Sequence, residues 1–412
     1  MKSFGNKNYR IHFLRTPFNL GLKVAFTTCL FLSLTNFLLG QITVGAEAGY
    51  RYLPLLKDKR VAVVVNPTSK IGETHLLTYL AANEVKLQKI FALEHGIYGK
   101  EDAGAKVKDG VDPISGLPVI SLYGSGKEPN ANDLEDVDII VFDIQDVGAR
   151  FYTYISSLHY IMLACAKTNT ELIVLDRPNP NGHIIDGPVL DLKHKSFVGM
   201  HPVPVLHGLT IGEYGLMING EGWLGDQLVA PITVIPCGNY KVGQHYSLPV
   251  PPSPNLPNDK SILLYPHLCF FEGTNVSVGR GTTFPFQVFG APHFKGYNFS
   301  FTPEPMFGAK SPKFKGRKCY GVDLRNYPAS DLKGLNLNWL LEAYQSKSGN
   351  FFNNFFVKLA GVDYLQKAIE EGKSAKEISA MWNEDVARFK EMSSKYHLYQ
   401  RKSNHGLKSG ND

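Results

Sequence analysis

Short apolar runs alternate with segments of helical periodicity over residues 60–235. The runs at 60–65, 85–93, 139–142, 171–175 and 232–235 are rich in Val and Ile and are too short for helices. Each predicts a strand, and most are apolar enough to be buried on both faces. Residues 74–82 and 153–167 have the apolar spacing of helices. Strands that alternate with helices are typical of βαβ units, so the pattern predicts an α/β domain with a mainly parallel sheet over residues 42–236.

The amino-acid composition changes after Gly182, where the chain becomes rich in Pro, Gly and His. We place a domain boundary near Pro236 and predict a smaller α+β domain over residues 237–398. Within it, Ser374 and Glu377 form a capping box that predicts a helix through about Ser394. The apolar face expected for this helix comprises Ile378, Met381, Val386, Phe389 and Met392. The polar residues 399–412 predict a disordered tail.

The first 40 residues have the pattern of a secretory signal. Five of the 43 basic residues precede residue 40, where there are no acidic residues, and an apolar run follows at 24–39. That run is shorter than the roughly 20 residues of a membrane-spanning helix, so cleavage near Gly40 is favoured over a retained membrane anchor. The mature protein is then expected to be exported, nearly neutral and without stable membrane insertion. The sequence has no basic stripe with interleaved aromatic residues, so nothing in it favours nucleic-acid binding.

Polar side chains follow three of the predicted strands. They are Glu94 and His95 after the second strand, Asp143, Gln145 and Asp146 after the central strand, and Asp176, Arg177 and Asn179 after the next. The carboxyl ends of parallel strands share one edge of a sheet, where ligands bind in open α/β folds. Each Asp taken singly is also compatible with a capped strand end. The chain has no GxGxxG or P-loop motif. Residue types leave two chemistries open: paired carboxylates for glycoside hydrolysis, or a divalent metal held by Asp and His.

Loops of the second half add further polar candidates. His207 precedes Gly208, residues 251–255 form a Pro-rich turn, and the loop at 271–282 carries Glu272, Asn275, Arg280 and Thr282. The glycines on either side of Arg280 favour an anion-binding nest. Taken singly, each of these charged residues is more typical of a surface or structural role. Four cysteines remain after signal removal, and their wide spacing gives no metal motif and no disulfide pairing.

Six motifs in order resemble the DUF1343 family. They are Ala-Leu-Glu-His-Gly at 92–96, the stretch at 141–154, Leu-Asp-Arg-Pro-Asn-Pro at 175–180, His-Gly-Leu-Thr-Ile-Gly-Glu at 207–213, Pro-Pro-Ser-Pro-Asn at 251–255, and 271–275 with 279–282. The resemblance covers residues 42–398. Characterised members are exo-acting β-N-acetylmuramidases that release N-acetylmuramic acid from the non-reducing ends of peptidoglycan fragments. The resemblance therefore implies a Rossmann-like domain, a smaller C-terminal domain and an active site between them.

The resemblance also implies roles for individual residues. Glu94 is expected to be the main catalytic acid, and Asp146 and Glu213 lead the candidates for the second carboxylate, with Asp143 and Asp186 behind them. A buried Arg should pair with the lactyl carboxylate of muramic acid, and Arg150, Arg177 and Arg280 are the candidates. The other expected substrate contacts are His95, Gln145, Tyr152, Asp176, Asn179, His207, Glu272, Asn275 and Thr282. The acetamido group of the substrate is an alternative participant.

One departure from the family pattern is visible, because the chain has Asp186-Gly187-Pro188 where Glu-Gly-Pro is expected. The resemblance implies no cofactor and no metal, and it names muropeptides or disaccharides from peptidoglycan as the binding partners. The exported protein is expected to be periplasmic. Two alternatives remain at this stage. One is an exported sugar- or muropeptide-binding protein without catalysis, and the other is a metal-dependent hydrolase, which a chelator would inhibit.

Overall fold

A computed structural model describes residues 40–99, 109–124 and 126–401. The first strands are β1 (Arg60–Val65), β2 (Lys70–Ile71), β3 (Thr74–His75), β4 (Lys86–Ala92), β5 (Gly110–Val111), β6 (Pro118–Ser121), β7 (Ile139–Asp143), β8 (Glu171–Leu175) and β9 (Ile232–Ile235). Within these ranges, seven strands form one sheet in the order β5–β6–β4–β1–β7–β8–β9. Its pairs are parallel except for the edge pair β5–β6. The predicted mainly parallel sheet is confirmed.

Helices cover both faces of this sheet. Those of the first part are α1 (Gly49–Leu56), α2 (Leu76–Ala82), α3 (Ala131–Leu134), α4 (Tyr154–Thr168) and α5 (Ile211–Gly220). Successive side chains of a strand point to opposite faces, so Val61 and Val63 of β1 join one apolar cluster and Val64 joins the other. The first cluster includes apolar residues of α1 and α2, and the second includes those of α4 and α5. This two-sided burial explains why the strands read as unbroken apolar runs.

The helix predicted at residues 74–82 begins two residues later than expected. Thr74 and His75 form the short strand β3, which pairs antiparallel with β2. The imidazole of His75 then caps α2 by accepting a hydrogen bond from the backbone N–H of Leu77. The pairing with β2 satisfies backbone groups that a helix would otherwise use, which is why apolar spacing alone gave the wrong start.

The C-terminal part has its own small antiparallel sheet. Its strands are β10 (Val288–Ala291), β11 (Phe299–Phe301) and β12 (Cys319–Asp323), and its helices are α6 (Asp259–Leu268), α7 (Asn338–Gln345), α8 (Phe356–Ala360), α9 (Tyr364–Glu370), α10 (Ala375–Ala380) and α11 (Asn383–Ser394). The strands pair in the order β10–β12–β11. This arrangement confirms the expected smaller C-terminal domain of α+β type.

The helix predicted from Ser374 to about Ser394 is wrong in one respect. Its capping box forms as expected, but α10 ends at Ala380 and α11 begins at Asn383. Trp382 occupies the break, is fully buried, and donates a 2.8 Å hydrogen bond from its indole nitrogen to Asp186 Oδ1. Met381, predicted to face the core, is 42% exposed because the break turns it outward.

Further observations concern the chain ends, membrane-spanning helices and the cysteines. The predicted signal at residues 1–39 and residues 402–412 of the predicted tail lie outside the described residues. Tyr399 and Arg401, also predicted to belong to that tail, are instead folded against Asp176 and Glu213. In the described ranges no helix is both long and apolar enough to cross a membrane. Cys165, Cys237, Cys269 and Cys319 are buried thiols without disulfides.

Candidate active site

Glu94 lies at the carboxyl end of the sheet, just after β4, and its carboxylate is held by two hydroxyls. Tyr123, which follows the neighbouring strand β6, donates a 3.0 Å hydrogen bond to Oε1, and Thr153 donates one of 3.0 Å to Oε2. The side chain is half-buried. The next residue, His95, has a φ of +70°, a left-handed conformation that non-glycine residues adopt only when their surroundings enforce it. The turn therefore presents Glu94 in a fixed orientation.

Two tyrosines form the wall behind Glu94. Tyr154 donates a 3.4 Å hydrogen bond to the backbone carbonyl of Glu94 and accepts one of 3.0 Å from Asn66. Tyr152 packs edge-on against Tyr154, with ring centroids 5.0 Å apart, and donates to the carbonyl of Pro252 at 2.7 Å. The Pro-rich turn of the sequence motif is thus tied directly to the strand-end site.

Asp146 lies deeper, after β7, and is almost fully buried. Its Oδ2 accepts a 2.6 Å hydrogen bond from the backbone N–H of Gly148, while Oδ1 has no partner among the described residues. Burial raises the pKa of the Asp146 carboxyl to about 7. His207 Nε2 is 3.8 Å from Oδ2 and also lacks a hydrogen-bond partner in the described ranges. Burial lowers the pKa of His207 to about 3, so its ring is neutral.

Asp143 and Arg177, at the ends of β7 and β8, form a buried ion pair. Arg177 donates from Nε to Oδ1 at 2.6 Å and from Nη2 to Oδ2 at 2.9 Å. Nη2 also donates to the backbone carbonyl of Lys70 at 3.2 Å. The bidentate geometry joins the two strand ends and leaves little of either group for a substrate.

Hydrogen bonds within the protein also engage the side chains of Asp176, Gln145 and Asn179. Asp176 accepts from the backbone N–H groups of Arg177 and Gly212 and from the hydroxyls of Thr210 and Tyr399, the last at 2.5 Å. Gln145 donates to the carbonyls of Asp146 and Pro178, and Asn179 donates to that of Leu209. These contacts fix the loops beyond the strands.

Arg150 is a fully buried link between the two parts of the chain. Nη1 donates to the carbonyls of Pro188 at 2.6 Å and Val203 at 2.9 Å, and Nη2 donates to those of Leu359 at 2.8 Å and Ala360 at 2.7 Å. Burial lowers the pKa of its guanidinium to about 10. With four carbonyl acceptors, its terminal nitrogens hold residues of the C-terminal part against the β7–α4 loop.

Glu213 and Asp186 also bind elements of the C-terminal part. Glu213 completes the predicted capping box at the start of α5, and its carboxylate accepts from the Leu398 N–H at 2.9 Å and from Arg401 at 2.8 Å. Asp186 accepts from the Trp382 indole and from the Leu335 N–H at 2.7 Å. Both carboxylates thus have protein donors on each oxygen.

Arg280, in the loop at 271–282, donates fewer hydrogen bonds within the described part of the chain than Arg150 and Arg177 do. Its Nε donates to Glu272 Oε1 at 3.2 Å, and its guanidinium lies 5.0 Å from the centre of the Phe286 ring. The side chain remains 25% exposed, and its two terminal nitrogens have no hydrogen-bond partner in the part of the chain that the structure describes. The glycines at 279 and 281 have φ values of +77° and +82°, as expected for a nest.

Lys313 supports that loop from beneath. Its buried ammonium donates to the carbonyls of Phe271, Thr274 and Val276 at 2.6–3.0 Å. Of the remaining predicted loop residues, Thr282 donates to the Gly279 carbonyl within the loop, and Asn275 donates to the carbonyl of Ser348 outside it.

Aromatic rings connect the Arg280 loop to Glu94. Tyr265 packs against Phe286 with centroids 5.0 Å apart and against Tyr152 at 5.8 Å. Tyr152 in turn contacts Tyr154, whose hydroxyl reaches Glu94. A continuous series of aromatic contacts therefore links Glu94 and the tyrosine wall to the Arg280 loop. Asp143, Asp176, Arg150, Arg177 and Glu213 are instead engaged in framework contacts. No group of three or more His, Cys, Asp and Glu side chains that could hold a metal ion occurs within the described ranges.

Sequence reasoning missed the two hydroxyls that hold Glu94. Tyr123 lies just beyond the short strand β6 (Pro118–Ser121), so the strand-end rule, applied to that strand as well, would have found it. Thr153 lies inside the motif at 141–154, but nothing in the sequence marks its hydroxyl as a partner of Glu94.

Comparison with known proteins identifies the family of the chain. Family models described as exo-beta-N-acetylmuramidase NamZ match the chain, the N-terminal model over residues 61–260 and the C-terminal one over 263–399. The peptidoglycan beta-N-acetylmuramidase NamZ of Bacillus subtilis (strain 168) is 36% identical over 84% of this chain and 89% of its own length.

Two solved structures of DUF1343 family proteins from Bacteroides fragilis NCTC 9343 are similar in fold. The first has a TM-score of 0.81 and 46% identity, covering 88% of this chain and 99% of that one. The second has a TM-score of 0.75 and 28% identity, with 88% and 100% covered. The two family models together span most of the residues that carry the sheet, Glu94 and the Arg280 loop, and the chain therefore belongs to the NamZ (DUF1343) family of exo-β-N-acetylmuramidases.

Proposed function

We propose that this protein is a glycoside hydrolase that removes the terminal, non-reducing β-N-acetylmuramic acid from peptidoglycan fragments. Family membership supports this activity. The observation that carries it is the environment of Glu94, a partly exposed carboxylate at the edge of a parallel sheet with each oxygen oriented by a hydroxyl. Ligands of open α/β sheets bind at this edge.

Glu94 acts directly on the glycosidic bond in this proposal. Orientation by Tyr123 and Thr153 confines its carboxyl to one geometry, and such positioning is a main contribution of an active site to rate. Asp146 is a carboxyl group in a contrasting environment, since its burial favours the protonated form. Its side chain is only 4% exposed, so we assign it to the support of the β7–α4 loop, which carries Thr153 to Glu94.

Recognition of muramic acid falls to Arg280. The guanidinium is partly exposed and has free terminal nitrogens among the described residues, which is what a bidentate pair with a lactyl carboxylate requires. Arg150 is surrounded by four carbonyls and Arg177 is paired with Asp143, so neither offers the same surface. Glu272 orients Arg280 by accepting from Nε, leaving the opposite edge of the guanidinium for the substrate.

Hydrolysis of a chromogenic β-N-acetylmuramide beside the matching β-N-acetylglucosaminide tests this function, with and without a chelator. We expect selective, chelator-resistant release from the muramide, and loss of most of it in Glu94→Gln with an unchanged circular dichroism spectrum. Turnover by Glu94→Gln at the wild-type rate would refute the role of Glu94. Inhibition by the chelator would favour the metal-dependent alternative, and binding of muramic acid without release would favour a binding protein.

We also propose that the protein is exported to the periplasm, where peptidoglycan fragments arise. The basic stretch followed by the apolar run at residues 24–39 supports this location. Fractionation of cells that produce the full chain is the test. A mature protein starting near residue 41 in the periplasmic fraction is expected, and full-length protein in the cytoplasm would contradict the proposal.

A further inference from the structure

A cavity of about 790 Å³ lies beyond the ends of β8 and β9, apart from Glu94. Its wall consists of the loops at 180–185 and 242–246, the beginning of α6, and Lys333 and Lys390 from the C-terminal part. The volume is within the range of pockets that hold small ligands. Neither the substrate contacts proposed above nor the family comparison assigns an occupant to it.

The wall of this cavity is strongly basic. Lys260, Lys333, Lys390, Arg401, His183 and His245 line it, and among the described lining residues Asp259 is the one acidic group. Asp259 Oδ2 accepts a 2.5 Å hydrogen bond from Ser247 and lies 3.9 Å from His245 Nε2. The excess of cationic groups favours an anionic ligand.

Two of the cations are available to such a ligand. Arg401 is paired with Glu213, and the ammonium of Lys260 donates to the Tyr327 carbonyl at 2.6 Å. Lys333 and Lys390 are exposed, and neither ammonium has a hydrogen-bond or ion-pair partner in the described ranges. They come from segments far apart in sequence and face the same space.

The position of the cavity relates it to the proposed active site. Glu94 follows β4, whereas the cavity loops follow β8 and β9, three and four strands further along the same edge. Adjacent strands are about 4.8 Å apart, so the cavity begins about 14 Å from Glu94 along that edge. Peptidoglycan glycan alternates muramic acid with glucosamine, so carboxylates recur at every second sugar. With the terminal muramic acid at Glu94, the next carboxylate belongs to the third sugar.

We propose that this basic cavity is a second carboxylate subsite, which holds the lactyl carboxylate of the third sugar so that glycans longer than a disaccharide are preferred. The proposal rests on the exo-muramidase function given above. Lys333 and Lys390 supply the pairing charges. The uncharged second sugar bridges the two sites.

The test compares the peptide-free disaccharide of muramic acid and glucosamine with the corresponding tetrasaccharide. The variant is the double charge reversal Lys333→Glu/Lys390→Glu. Its matched control is Lys57→Glu/Lys376→Glu, which changes net charge equally at exposed positions elsewhere. We expect the KM for the tetrasaccharide to rise about five- to tenfold in the cavity variant, the effect of losing two exposed ion pairs. Its kcat, the disaccharide KM and the control should stay unchanged.

An unaltered KM for the tetrasaccharide, or an equal rise for both glycans, would overturn the proposal. If the wild type hydrolyses neither glycan, the proposed function fails but the subsite is still tested by calorimetry. Tighter binding of the muramic-acid tetrasaccharide than of an N-acetylglucosamine tetramer, reduced in the cavity variant but not in the control, supports the subsite. Equal binding of the two tetramers refutes it.

Discussion

Replacing Asp146 by Asn should make the folded protein more stable at neutral pH. The carboxyl is almost fully buried, and one of its oxygens has no partner among the described residues. An amide at this position keeps the acceptor for the Gly148 N–H but carries no charge at any pH. The change therefore removes the cost of ionising a group away from water.

The size of this effect follows from the pKa of Asp146. Burial holds the folded pKa at about 7, against 3.8 in an unperturbed carboxyl. Between these values the unfolded state binds fewer protons than the folded state, so wild-type stability falls as pH rises through this window. One unit of pKa corresponds to 1.36 kcal/mol, which gives about 4 kcal/mol above pH 7. At about 2 °C per kcal/mol, the melting temperatures should differ by about 8 °C.

The assay is thermal unfolding of both proteins across this window. The Tm of Asp146→Asn minus that of the wild type should be small near pH 4, grow toward pH 7 and then level off. His207 has the opposite dependence, because its folded pKa is lowered to about 3 and unfolding takes up a proton. Both proteins contain His207, so the difference isolates Asp146. A difference that is independent of pH would show that Asp146 is ionised when folded, and would refute the burial argument.

Three further substitutions test the site and its framework. Arg280→Lys should reduce the preference for muramide over glucosaminide about tenfold, because an ammonium cannot pair bidentately; an unchanged ratio of kcat/KM contradicts this role. Tyr123→Phe combined with Thr153→Val should lower kcat about 10–100-fold by removing two hydrogen bonds that orient Glu94, with an unchanged Tm excluding a folding effect; wild-type kcat would contradict the orienting role. Arg150→Met should destabilise the protein by about 3–5 kcal/mol in urea unfolding, because four carbonyls lose their donor; an unaltered urea midpoint would count against the link.

The location of the site could be predicted from the sequence because it depends on local patterns. Strands β1, β8 and β9 are found where the apolar runs predict them, and polar residues at strand ends share an edge by topology. Glu94 could be singled out on those grounds and by the motif that surrounds it. The partners of these residues could not be predicted, since Tyr399 and Arg401 reach Asp176 and Glu213 from about 200 positions away.

The charge of a residue did not show whether it takes part in the reaction, because its hydrogen-bond and ion-pair partners could not be predicted from the sequence. Asp143, Arg177 and Arg150 satisfy one another or the backbone, and a buried charge is retained only when it is paired in this way. A sequence shows the charge but not its partner, so framework and substrate residues look alike. Thr153 and Tyr123 show the converse, because uncharged residues hold the carboxylate that is expected to react.

The departure from the family pattern at Asp186 has a structural explanation, because this carboxylate makes contacts within the protein. The Asp186 carboxylate forms a contact with the C-terminal part, where it accepts from the Trp382 indole and the Leu335 N–H. A Cβ added at Gly334 would lie 2.5 Å from Asp186 Oδ2, so this oxygen already lies close against the backbone of Gly334. In this chain a glutamate would have to displace that backbone or give up both hydrogen bonds. The shorter side chain therefore fits this contact with the C-terminal part. Asp186 has no part in the proposed chemistry at Glu94, so the shorter side chain does not affect it.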